Sequence, residues 1–188
     1  MLAPTKVNSL LYLWLTFTVL VSLLLTPVGV AANSDQDAQL IKAEQGDAEA
    51  QYQLAKKFFQ VVRTTQDTQH AFKWANKAAQ QGHLGAQRLV ASMYLYGQGV
   101  TEDKQQAVEW YTKAAERGDA YSQTFLGNYY HQRNALGLIN QQLNSAPEKN
   151  KLAVKWYTKA AGQGYARAQY ELADMYYVGA GVLQDYQR

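Results

Sequence analysis

Three histidines, His70, His83 and His131, are the side chains of this sequence best suited to bind a metal or move a proton near neutral pH. None is followed three or four residues later by another histidine, a cysteine or a carboxylate, the spacing that puts two ligands on one helix face, so no metal site is expected. His83 reads as an exposed first-turn residue. Glu171 and Asp174 lie three apart and share a helix side, yet such pairs read as a solvated face rather than as an acid and its base. No serine stands in a nucleophile-elbow pattern. Gly97-Gln98-Gly99 would suggest a phosphate loop only with a preceding strand and a third glycine, and it has neither. Neither catalysis nor a cofactor has a constellation to carry it.

The elements that hold these residues repeat. Ala71-x-x-Trp74-x-x-Lys77-Ala78-Ala79-x-x-Gly82 returns as Ala107-x-x-Trp110-x-x-Lys113-Ala114-Ala115-x-x-Gly118, and again from Ala153 through Trp156, Lys159, Ala160 and Ala161 to Gly164. Gly46, Gly82 and Gly118 are 36 residues apart and Gly164 follows after 46, so the third unit carries an insert of ten residues. Apolar positions at i, i+3, i+4, i+7 and i+8 make one helical stripe, and each glycine stands where a helix end needs positive φ. A second helical pattern follows each glycine: Ala50, Leu54, Ala55, Phe58; Ala86, Val90, Ala91, Tyr94; Ser122, Leu126, Gly127, Tyr130; Ala168, Leu172, Ala173, Tyr176. Gly97-x-Gly99-Val100 ahead of Asp103, echoed by Gly179-x-Gly181-Val182 ahead of Asp185, predicts a tight turn with an acidic helix cap. Trp74, Trp110 and Trp156 share one phase beside Ala-Ala and read as core rather than as a stacking ladder for a ligand. A repeat of tens of residues is the signature of a solenoid, in which each unit covers its neighbour's apolar face.

The helix pair Ala86-Gln87, Tyr94-x-x-Gly97-x-Gly99-Val100-x-x-Asp103 and Ala107-x-x-Trp110-Tyr111-x-Lys113-Ala114-Ala115-x-x-Gly118 resembles the Sel-like repeat, a branch of the tetratricopeptide-like solenoids. The likeness runs from about Asp35 to Arg188. It departs at Val61-Val62-Arg63-Thr64, which replaces the glycine turn of the first unit, and at the insert of the third. The resemblance implies an all-α protein, an α/α superhelical solenoid of helix-turn-helix repeats with units at about 46–81, 82–117, 118–163 and a partial 164–188. It also implies a non-catalytic scaffold for protein partners. In such arrays the first helix of each unit lines a concave groove. Stepping by unit, that groove takes in Tyr52, Lys56, Arg88, Ser92, Leu95, Tyr121, Asn128, His131, Arg167, Tyr170, Asp174 and Tyr177, a set rich in the aromatic and arginine anchors of binding hot spots. The alternative is a cell-envelope glycan or peptidoglycan binder, whose site should cluster rings with carboxylates and amides.

Residues 1–32 stand apart. Lys6 is the only charge before Asp35, Leu10 to Leu25 is nearly all apolar, and Gly29-Val30-Ala31-Ala32 supplies small residues, the pattern of a signal peptide cleaved after Ala32. Left uncut, the segment would reach across a bilayer as an anchor, the one circumstance in which a membrane would be a partner. The pattern therefore predicts export, and the resemblance implies a bacterial periplasm as the location, with an inner-membrane anchor as the alternative. Net charge is +3, and +2 without Lys6, with Lys and Arg interspersed among Asp and Glu; no basic face for nucleic acid is expected. The absence of cysteine excludes a disulfide framework. Leu40, Ile41 and Ala43 belong to a segment, Asp35 to Gln45, expected to cap the array. The insert, His131 to Asn150, reads either as a partner-binding lip or as an extension of the preceding helix that folds back. The fourth unit stops at Arg188 before its second helix, which leaves an open end available for self-association or a partner.

Overall fold

A computed structural model describes residues 34–60, 64–131 and 146–181, and the chain divides into two compact units, Met1–Asp37 and Ala38–Arg188. The expected signal segment, all but the ends of the insert, and the residues after Gly181 lie outside the described residues. Among the described residues there are eight helices and no strand: α1 (Ser34–Glu44), α2 (Ala48–Gln60), α3 (Thr65–Gln80), α4 (Leu84–Tyr96), α5 (Lys104–Glu116), α6 (Ala120–Tyr130), α7 (Ala146–Ala161) and α8 (Ala166–Val178). In the second compact unit, α2 to α8 each pack on the next in the chain, the antiparallel stacking of an α/α solenoid.

The closing glycines work as their spacing predicts. Gly82 has φ 87°; its N–H donates to the Ala79 carbonyl at 2.9 Å while His83 N–H reaches back to Ala78 at 3.1 Å. That bond pair is a Schellman ending, and it recurs at Gly118 and Gly164. Gly99 (φ 73°) has an additional reason to be bare: a Cβ there would stand 2.1 Å from the Thr68 carbonyl oxygen of α3, so the turn lies directly on the preceding unit's backbone. Asp103 caps α5 as expected, accepting from Gln106 N–H at 2.9 Å. Where the first unit lacks the glycine pair, Thr64 and Asp67 form a reciprocal capping box at the start of α3. Pro147 falls in the first turn of α7, where its missing N–H leaves no helix bond unmade.

Alanines fill the contacts between helices, and the large buried side chains are few. Ala71, Ala75, Ala78, Ala86, Ala107, Ala114, Ala115, Ala153, Ala160 and Ala168 are fully buried, as are Met93, Tyr111, Leu126, Tyr157 and Met175. Small beside large is required here: a Cβ on Gly127 would come within 2.3 Å of the Tyr157 ring. The tryptophans need a correction. Trp156 is buried, but Trp74 and Trp110 are half-buried at the edge of the core. Lys77, Lys113 and Lys159, one turn on, place their ammonium groups 4.2, 4.2 and 4.7 Å from the three ring centroids. The Trp-x-x-Lys spacing thus shields indole faces with a cation. The expected cap is also only partial, since Ala43 is buried against Ala50 and Leu54 while Leu40 and Ile41 remain exposed.

A polar ladder runs through the same stack. Gln51, Gln87 and Gln123 are buried, and each donates its Nε2 to a carbonyl eight residues back, on Ala43, Ala79 and Ala115, at 3.0, 3.3 and 2.9 Å. Gln169, exposed on α8, repeats the bond to Ala161 at 3.3 Å. Two of these amides also accept from the next closing turn: Gln81 donates to Gln51 and Gln163 to Gln123, both at 2.8 Å. At the middle junction the residue before the glycine is Arg117, which donates to the Gly82 carbonyl instead. Gln87 Oε1 is left as the one buried side-chain oxygen without a partner among the described residues.

Candidate functional site

Two clefts open on either side of Tyr121. The larger, about 210 Å³, is walled by Tyr52 and Lys56 of α2, Arg88, Leu89 and Ser92 of α4, Tyr111 of α5 and Tyr121 of α6, with Gly85 contributing bare backbone. The smaller, about 170 Å³, lies between Tyr121, Thr124, Phe125 and Asn128 of α6 and the Tyr165–Arg167 start of α8.

The repeat explains why these side chains meet. Tyr52 seats its ring against Gly85, where a Cβ would approach the ring carbon to 2.7 Å, and the His83 ring lies 4.4 Å from it. His83 is a helix cap rather than an exposed first-turn residue. Its Nδ1 accepts from Ala86 N–H at 3.1 Å, which leaves Nε2 as the protonated nitrogen facing Glu49 Oε2 at 2.8 Å in the preceding unit. Hydrogen bonds from Gln53 and then His83 hold the Glu49 carboxyl below the usual carboxylate range. Lys56 lies 5.6 Å from the Tyr52 ring centroid, and the Arg88 guanidinium lies 5.6 Å from that of Tyr121. Arg88 also meets Asp119 Oδ1 at 3.3 Å, while Asp119 Oδ2 caps α6 through Ser122 N–H at 2.8 Å. The cleft wall is thereby tied to the start of the next unit.

Behind the rings sit two buried phenols. Tyr111 stacks on Phe125 at 3.9 Å, and burial pushes its hydroxyl well above the ordinary tyrosine range. The Ser92 side chain acts on that hydroxyl in the opposite sense to burial, and Tyr157 Oη donates to Asn128 at 2.7 Å. Ser92 and Asn128 occupy one phase of the repeat, so both serve a buried tyrosine as well as a cleft wall.

Of the residues expected in the groove, Tyr52, Lys56, Arg88, Ser92 and Tyr121 share the larger cleft, and Tyr121, Asn128 and Arg167 share the smaller. Leu95 is a correction: it is 4 % exposed, packed with Ala91, Ala107, Tyr111 and Leu126, because it sits one turn beyond Ala91 on the face that meets α5. His131 ends α6 with Nδ1 at 3.3 Å from Asn150 Oδ1 and lines neither cleft. Tyr170 and Tyr177 are exposed on α8, with Asp174 half-buried between them, outside both clefts. Glu171 is buried, contrary to the solvated face expected of it. Gly85, Leu89 and Phe125 escape a search for polar and aromatic anchors, although Gly85 shares the phase of Tyr121 and Leu89 that of Phe125. Among the described residues no three His, Cys, Asp or Glu side chains are grouped to hold a metal, and no helix is long and apolar enough to cross a membrane.

The family described as Sel1 repeat matches the chain four times, over residues 48–83, 85–119, 120–165 and 166–188. Among solved structures, the chain is similar to a protective antigen present in uropathogenic Escherichia coli strains, which displays an SLR fold. The identity is 36 % and the TM-score 0.68, over 80 % of this chain and 30 % of that one. It is also similar to a Sel1 repeat protein from Oxalobacter formigenes, 30 % identical with a TM-score of 0.65, over 80 % of this chain and 58 % of that one. The chain thus spans less than two thirds of either relative. No curated protein matches it.

Proposed function

Because the chain belongs to the Sel1 repeat family, whose members generally mediate protein–protein interaction without catalysis, we propose that it is an exported scaffold that binds protein partners in the groove lined by its first helices. The observation that carries this reading is the grouping of Tyr52, Lys56, Arg88 and Tyr121, residues from three successive first helices, around one cleft. Exposed ring and guanidinium surface held by a rigid helix array is what a partner's side chains can anchor on. The rings also fit the second reading, a glycan binder, but both linings lack the carboxylates that would take sugar hydroxyls. Export rests on the leader pattern of residues 1–32 and predicts a mature chain beginning at Asn33, read by mass spectrometry of the exported protein.

The groove is tested with a photoreactive side chain in place of Tyr121, against one in place of Lys73, which is exposed on α3. Discrete protein adducts from position 121 and none from position 73 support it. Adducts from position 73 alone would move the binding face elsewhere.

A further inference from the structure

Both clefts combine cations with rings. Lys56 and Arg88 flank the larger cleft beside Tyr52 and Tyr121, Arg167 borders the smaller beside Tyr121 and Tyr165, and no carboxylate lines either. Among the described residues no carboxylate lies within ion-pair distance of Lys56. Arg88 has one such contact, to Asp119 Oδ1 at 3.3 Å. A guanidinium carries five donors, so that single contact leaves it able to take a second carboxylate. Volumes of about 210 and 170 Å³ are below the roughly 300–1,000 Å³ typical of small-molecule sites, and each suits one or two side chains. Two small adjoining clefts divided by one ring are suited to successive side chains of an extended strand.

We propose that the occupant is an acidic segment of an extended polypeptide, with carboxylates at Lys56 and Arg88 and the Tyr121 ring as the wall between side-chain positions. The inference rests on the groove reading and names its partner's chemistry. A nucleic acid would also bring negative charge, but binding it draws on many phosphate contacts along a basic face, and the whole chain carries only +3.

The test pans a phage library of random dodecapeptides on the full chain, then measures the enriched peptides in solution against charge variants, with far-ultraviolet circular dichroism as the check on folding. Expected are sequences rich in Asp and Glu whose affinity falls about tenfold or more with Lys56→Glu, and again with Arg88→Gln, as befits truncating one partner of a desolvated charge pair. Arg88→Gln keeps a donor beside Asp119, so a fold defect would show as lost helicity and be told apart from lost binding. Peptides without acidic bias that still depend on Tyr121 would overturn the acidic partner and leave the groove standing. Enrichment indifferent to Lys56, Arg88 and Tyr121 together, or no enrichment at all, would overturn both. A single-stranded oligonucleotide that displaces the peptides at equal concentration would overturn the choice of polypeptide.

Discussion

The middle junction of the array and the two that flank it are built from the same parts and finished differently. At Gln51–Gln81 and Gln123–Gln163 a buried amide both donates to a helix-ending carbonyl and accepts from the next closing turn. At Gln87 the second contact is missing because Arg117 stands where a glutamine would, and the first stretches to 3.3 Å. Between the middle and last junctions the apolar layer beneath does not share the difference, since Tyr111 and Tyr157 are equally buried, while at the first junction a buried Ala75 takes that phase. The lesson is that stacking is set by shape and the polar ladder adjusts it. One rung can be left half-made, at the cost of an unpaired buried acceptor.

The sharpest way to break this comparison is to remove the shared layer. Tyr157→Ala and Tyr111→Ala should each cost about 3–5 kcal/mol in denaturant unfolding, as other large-to-small changes of buried rings do. A difference of more than about 1.5 kcal/mol between them would mean that the junctions differ in packing and not only in hydrogen bonding. Next in size is the ladder itself. Gln123→Leu leaves the buried Ala115 carbonyl without its donor and removes the acceptor of Gln163, for a loss of about 1–3 kcal/mol, whereas Gln87→Leu also removes an unpaired oxygen and should lose less than about 1 kcal/mol. Equal losses would show that Gln87 Oε1 has a partner in solution.

Much of this fold was legible because its signals are local. The closing glycines, the stripe along each helix and the Asp103 cap depend on residues close together in the chain, and they are as their spacing predicts except on α8, where the expected Ala173 is exposed and Glu171 and Met175 are buried beside Ala168. The ladder was not legible to a hydrophobic pattern, which sends glutamine to the surface; Gln51, Gln87 and Gln123 are buried because a neighbouring helix end offers each a carbonyl. Their constant phase was the available signal. Leu95 shows the converse difficulty. A leucine at the edge between groove and stripe is assigned by the exact rotation of α4, which α5 decides. His83 reads as surface until the Glu49 carboxylate of another unit is brought against it.

Arg117→Gln sharpens the comparison from the other side. It should complete the middle rung and raise stability by about 0.5–1.5 kcal/mol, measured as a shift in the unfolding midpoint without a change in slope. No gain would mean that the bond of Arg117 to the Gly82 carbonyl already compensates. The smallest effect belongs to the outer face of the first junction. Glu49 has its carboxyl lowered on folding, so its contribution is present above the ordinary carboxylate range and fades as pH falls through the lowered value. As the group is exposed, the loss attributable to it, seen as the difference between wild type and Glu49→Gln across that range, should stay within about 0.5 kcal/mol. A larger acid-dependent difference would show that the His83 cap relies on the carboxylate.

The lysine-shielded tryptophans also give the array its own gauges. Trp74, Trp110 and Trp156 stand one to a unit at a single phase, each with an ammonium within 4.7 Å of its ring, so their emission is sensitive to the same local event at three stations along the chain. In a solenoid, where each unit is held only by its neighbours, opening need not be simultaneous. Leaving one of these three indoles in place and replacing the other two, together with Trp14, by phenylalanine would turn an unfolding curve into a record of which station opens first.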